Sequence, residues 1–157
     1  MAWSEIWITL LTATLGSLGF SIIFYVKPQR LPLATLAGLL TCAIYLWCKT
    51  LTGGEFIPNL VAAFAGAVYA EIAARITKAP VPVYLIPSTI PLVPGGALYN
   101  TMSHFLSGAY IEAGKYGLIA LQVAVGIAAG VIAASVVGLS LRSATQRLTH
   151  RTKGDKI

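Results

Sequence analysis

Between residues 80 and 96 the chain places Pro80, Pro82, Pro87, Pro91 and Pro94 ahead of Gly95 and Gly96, within a segment that is otherwise apolar. Each proline removes an amide donor and crowds the preceding turn, so the spacing predicts that no regular helix runs through the segment. It is also too apolar for a surface loop. Peptide groups freed from helical bonding at membrane depth persist only where protein or a water-filled cavity satisfies them. Such an interruption therefore points to a transport site.

Composition sets the surroundings of that segment. Of 157 residues, 57% are hydrophobic and 10% charged, with a mean hydropathy of +0.79; an average soluble domain is about 45–50% apolar and about 25% charged. An all-α integral membrane protein is expected, with one transmembrane domain over residues 1–141 and a basic tail over residues 142–157. The first residues carry Glu5 and no Lys or Arg before the apolar run, unlike a secretory signal, so the first helix is expected to remain in place. Cys42 and Cys48 lie six residues apart in one apolar stretch, on different helix faces, and no disulfide between them is expected. With only His104 and His150 besides, no metal-ligand spacing is present, and no cofactor is expected.

Runs of about 20 apolar residues predict five transmembrane helices near residues 6–26, 31–48, 56–76, 81–110 and 117–141. Lys27, Arg30, Arg75, Lys78, Arg142, Arg147, Arg151, Lys153 and Lys156 then collect on one side, against Lys49 and Lys115 on the other, nine to two. The positive-inside tendency places the amino terminus outside and the carboxy terminus in the cytoplasm. Membrane topology thus accounts for the net charge of +6 without nucleic acid. Were residues 81–110 to dip in and return, the split would become five against six, so a full crossing is favoured. Thirty helical residues measure about 45 Å against a hydrocarbon core of about 30 Å. A helix, a Pro/Gly-rich unwound break and a second helix fit that span better. The tail reads as a topology anchor, with contact to anionic lipid as its functional alternative.

After Gly95 and Gly96 a half-helix is expected whose first amides are unpaired near the bilayer centre, where they and the positive helix end suit a carboxylate. Gly95 and Gly96 let a ligand approach the backbone. Gly96, Tyr99, Asn100, Ser103, His104 and Ser107 recur at steps of three and four and form one polar stripe. Pro87, Ser88, Thr89, Pro91 and Pro94 complete a candidate substrate site, Ser88 and Thr89 offering hydroxyls. Each of these polar residues, taken singly, reads equally as an interhelical contact. Glu71 falls inside the third span one turn before Arg75; the pair reads either as an i, i+4 ion pair or as a proton-coupling group at the cytoplasmic mouth. Two ridges of small residues, Ala62, Gly66, Ala70 and Ala74, and Gly126, Gly130, Ala134 and Gly138, allow close helix approach. They suggest a partner chain or a homo-oligomer.

At IPLVPGGALYNTM, residues 90–102, the sequence resembles the threonine/serine exporter family, specifically the small, carboxy-terminal-half type subunit of its two-component bacterial form. The pattern is Pro91, then Pro94 and Gly95, then Tyr99 four positions after that glycine. The resemblance implies an exporter of threonine and serine or small dicarboxylates in the bacterial cytoplasmic membrane, working with a separate, larger membrane subunit. Only Pro91, Pro94, Gly95 and Tyr99 carry over from it. The remaining candidates rest on the residues themselves. No phosphate-binding loop is present, so the proton gradient rather than ATP is the expected energy source. The rival reading is a non-transporting membrane scaffold; no catalytic set of side chains supports an enzyme.

Overall fold

The molecule is described here from a computed structural model, with the backbone of residues 3–154 and the side chains of residues 4–138. Its apolar runs form α1 (Trp3–Ile23), α2 (Leu31–Thr52), α3 (Phe56–Thr77), α4 (Pro82–Thr89), α5 (Gly95–Leu106) and α6 (Tyr110–Gly154), with 3-10 turns at Pro28–Arg30 and Ile90–Leu92. Local chemistry sets the ends. Gly53 turns left-handed after α2 (φ 63°) and Gly108 does so between α5 and α6 (φ 79°). Pro32, Pro58 and Pro82 sit in first turns, where the missing amide has no intrahelical acceptor to lose.

Among the described residues, four helices are long and apolar enough to cross a membrane: α1, α2 with its preceding turn, α3, and the Tyr110–Gly138 part of α6. The stretches expected at 6–26, 31–48, 56–76 and 117–141 overlap these four helices, the last of which already begins at Tyr110. The backbone of α6 continues to Gly154, so residues 142–154 extend that helix. The side chains of the basic tail, with His150, lie outside the described residues.

The segment at 81–110 departs from expectation in one respect. The chain is helical through Pro87 and remains so to Leu92, first as α4 and then as a 3-10 turn. Only Val93 and Pro94 are non-helical before α5 starts at Gly95. The unwound stretch expected over residues 87–96 thus shrinks to two residues. Pro82 begins α4, Pro91 is the second residue of a 3-10 turn, where an amide has no acceptor within that turn, and Pro87 alone is a helix-interior proline of this segment.

Helix α3 is central and packs against α2, α4 and α6. Its small residues make this possible. Gly66 faces Thr41 of α2 and Ser88 of α4, and a methyl there would stand 2.6 Å from Thr41 Oγ1. The second ridge seats α6 on α3, Gly126 over Phe56 O and Gly130 over Leu60 O. Both ridges are used within the chain, so they are not a surface left over for a partner.

Candidate functional site

The residues around the α4 to α5 junction are held from three directions, beginning with α1. In an α-helix the carbonyl of Pro87 would accept from the amide of residue 91, which is a proline. The Ile90 amide is directed to Ile86 O. Pro87 O accepts instead from the Ser17 hydroxyl of α1, at 3.0 Å and fully buried. Left without a donor, a buried carbonyl of this kind costs about 1–3 kcal/mol. Gly38 of α2 makes the contact sterically possible, because a methyl there would collide with Ser17 Oγ and lie 3.0 Å from Pro87 O. On the far side, Leu92 is buried against Ala62 and Ala63 of α3.

Two cavities flank this buried stretch, each of about 320 Å³. Both are at the small end of the roughly 300–1,000 Å³ range of small-molecule sites. One lies at the Arg30 end of α2, lined by Tyr25, Lys27, Arg30, Val83, Ile86 and Pro87 among others. Arg30 also donates to Thr77 O at 3.1 Å, closing the end of α3. The other lies at the opposite end of α2, where Tyr45, Glu55, Asn59, Asn100 and Tyr116 surround Pro91, Leu92, Val93, Pro94 and Ala97. The two ends of α2, 22 residues long, are about 33 Å apart at 1.5 Å per residue.

The Glu55-end cavity carries a connected polar wall. Lys49 donates to Glu55 Oε1 at 2.7 Å and to the Tyr45 hydroxyl at 2.9 Å, and Tyr45 donates to Glu55 Oε2 at 3.0 Å. Asn59, buried, donates to Glu55 O at 2.7 Å. Tyr116 is backed by His104, their rings stacked with centroids 5.3 Å apart. Mixed apolar walls with amides, phenols and one ion pair suit a small polar solute. Nothing in the wall resembles a metal site: no group of three potential ligands exists among the described residues.

The candidate residues from the sequence divide accordingly. Pro91, Pro94 and Asn100 line the Glu55-end cavity, and His104 supports it through Tyr116. Pro87 lines the Arg30-end cavity. Ser88 and Thr89 direct their hydroxyls to α4 carbonyls, Ser88 to Leu85 O at 2.7 Å and Thr89 to Ile86 O at 3.0 Å. Gly95 and Gly96 are exposed, and a methyl on either would meet nothing within 4 Å. No side chain caps α5; Leu98 N–H bonds Pro94 O, and Gly96 and Ala97 follow the usual pattern of unpaired first amides. Tyr99 is 72% exposed on the outer side of α5, beside Leu98 and Met102. Glu71 and Arg75 form an ion pair at 2.7 Å and line a separate cavity of about 100 Å³ between α3 and α6.

Sequence reasoning overlooked Ser17, Gly38, Tyr45, Glu55, Asn59 and Tyr116. Asn59 and Glu55 gave a signal, as polar residues at the start of an apolar run. Ser17 gave none, because its partner is 70 residues away.

A family model described as "Threonine/Serine exporter, ThrE" matches residues 9–137. No curated protein and no solved structure matches the chain.

Proposed function

The chain belongs to the threonine/serine exporter family, a family of multi-pass membrane transporters, and from that membership we propose that it is one subunit of a two-component exporter. Threonine and serine are its leading substrates, with small dicarboxylates next. The larger membrane subunit supplies the other half of the path, in the bacterial inner membrane. Helices α4 and α5 act together as the fourth of five crossings, interrupted at Val93 and Pro94, with the amino terminus outside and the carboxy terminus in the cytoplasm.

One observation carries the reading. Two solute-sized cavities lie along the α4 to α5 segment at opposite ends of α2, one against Pro82–Pro87 and the other against Pro91–Ala97, with the partly buried residues 88–90 between them. A transporter that exposes one site alternately to two sides needs a divided path of this kind. The Lys27 and Arg30 side chains at one mouth favour a solute bearing a carboxylate. The solute then sits against Pro91, Pro94, Gly95, Gly96 and Asn100, where α5 begins.

Efflux of labelled threonine, serine and succinate from loaded cells tests the proposal, with the chain and its neighbouring subunit present or absent. Faster efflux of at least one of these solutes only when both are present is expected; unchanged efflux of all of them contradicts it. Proton coupling turns on Glu71, a carboxylate within a helix long enough to span the membrane. Glu71→Gln keeps the side-chain shape and removes the carboxylate. It is expected to uncouple threonine efflux from an imposed proton gradient, and efflux that responds to that gradient as the parent does removes Glu71 from the coupling step.

A further inference from the structure

We infer that Ser17 is a positioning residue of the transport path: its hydroxyl takes the place of the amide that Pro91 lacks and holds closed the septum, residues 87–92, between the two cavities. The inference rests on the reading of that stretch as part of the path. Pro87 lines the Arg30-end cavity and Pro91 the Glu55-end cavity, so the carbonyl that Ser17 holds belongs to the short stretch of chain running from one cavity to the other.

An unbroken helix secures its carbonyls with its own amides and opens only by unwinding. Here the bond is donated by another helix, and it can be made or lost by a small movement of α1 against α4. Helix α1 is suited to that movement. It is the most exposed of the four long helices, and its contacts are chiefly with α2. Gly38 is a point at which α2 thins enough for Ser17 to pass to Pro87, since even a methyl there collides with the hydroxyl. Ser21 is also buried on this face of α1, but its hydroxyl returns to Ser17 O at 2.7 Å, leaving Ser17 as the donor that reaches α4.

The substitution that tests this most sharply gives residue 91 its amide back. In the full-length chain purified in detergent, Ser17→Ala is expected to lower the unfolding temperature by about 2–4 °C, the shift that one lost bond produces in a chain of this size. In a Pro91→Ala background the restored amide serves Pro87 O, and the same Ser17→Ala change should move the midpoint by less than about 1 °C. Equal losses in both backgrounds would mean that Ser17 merely packs, and would overturn the inference. Should the Pro91→Ala chain fail to fold, Ser17→Thr against Ser17→Val isolates the hydroxyl at constant shape. The threonine chain should be the more stable by the same 2–4 °C, and coincident midpoints would overturn the inference.

A second readout follows the septum itself. In a chain carrying Cys42→Ala and Cys48→Ala, a cysteine introduced by Leu92→Cys should react slowly with a membrane-impermeant thiol reagent applied from the Arg30 side, and at least tenfold faster once Ser17→Ala is added. Unchanged reactivity would refute the septum role. Neither measurement involves a substrate, so a chain that exports nothing in the efflux assay counts against the proposed function and leaves the test of Ser17 intact.

Discussion

An alanine at Gly130 is expected to destabilise the fold by about 1–3 kcal/mol and to lower the yield of folded protein several-fold. The added methyl would press on Leu60 O and stand 2.9 Å from Phe64 N. Both are backbone atoms of α3 and have no rotamer by which to yield. Relief requires α6 to move off α3, and α3 is the helix on which α2 and α4 also rest. Gly126 makes the same kind of contact at 2.8 Å from Phe56 O, and Gly126→Ala should have a smaller effect in the same direction. Gly114, also in α6, has nothing within 4 Å of a built methyl. Gly114→Ala should therefore gain the ordinary helical advantage of alanine, about 0.5–1 kcal/mol. Thermal unfolding of the three variants in one detergent decides the matter; equal midpoints for the Gly130 and Gly114 variants would contradict the packing described.

A leucine at Gly96 should cut threonine efflux at least tenfold while the chain stays as stable as the parent. A methyl at Gly95 or Gly96 meets no atom within 4 Å, and neither glycine has a positive φ. Helical propensity favours leucine over glycine as well. The first added carbon thus meets no neighbour, and with an unchanged unfolding midpoint any loss of efflux reports what occupies the space beside the start of α5. Co-purification of the second subunit separates the two occupants. If the complex survives and efflux fails, the solute passes there; if the complex is lost too, the scaffold reading gains and the site reading fails. Efflux at the parental rate would mean that neither uses this surface.

Much of this architecture was legible in the residues. Long apolar runs bounded by Lys27, Lys49 and Lys78 mark helices because lipid leaves the backbone no other way to satisfy itself. The α4 to α5 junction was visible because Pro94, Gly95 and Gly96 combine a missing donor with two residues of weak helical preference. Its extent was not legible. Pro87 stays helical because a hydroxyl from α1 and the small residues of α2 and α3 support that stretch, and no local pattern announces a partner so distant in sequence. The small-residue ridges were seen, but their use was misjudged. Spacing shows that a face can be approached closely, without showing whether the approaching helix belongs to the same chain.

The candidate site was half legible for a similar reason. Asn100 belongs to a polar stripe that sequence reveals, and it does face the Glu55-end cavity. Tyr99, next to it, is turned outward, since adjacent helical residues diverge by about 100°. Lys49 and Glu55 fall between two expected spans, on either side of Gly53 and Gly54, and only the fold brings Glu55, paired with Lys49, to the wall opposite Pro91.

Cysteine accessibility along the crossing measures the central claim most directly. With Cys42 and Cys48 replaced by alanine, single cysteines at Val83, Ile86, Ala97 and Asn100 are probed with an impermeant thiol reagent from each side of sealed membranes containing both subunits. The account predicts that positions 83 and 86 react from the side of Arg30, that positions 97 and 100 react from the opposite side, and that added threonine slows labelling at 97 and 100. Labelling of all four from a single side, or labelling that threonine leaves unchanged at every position, would contradict it.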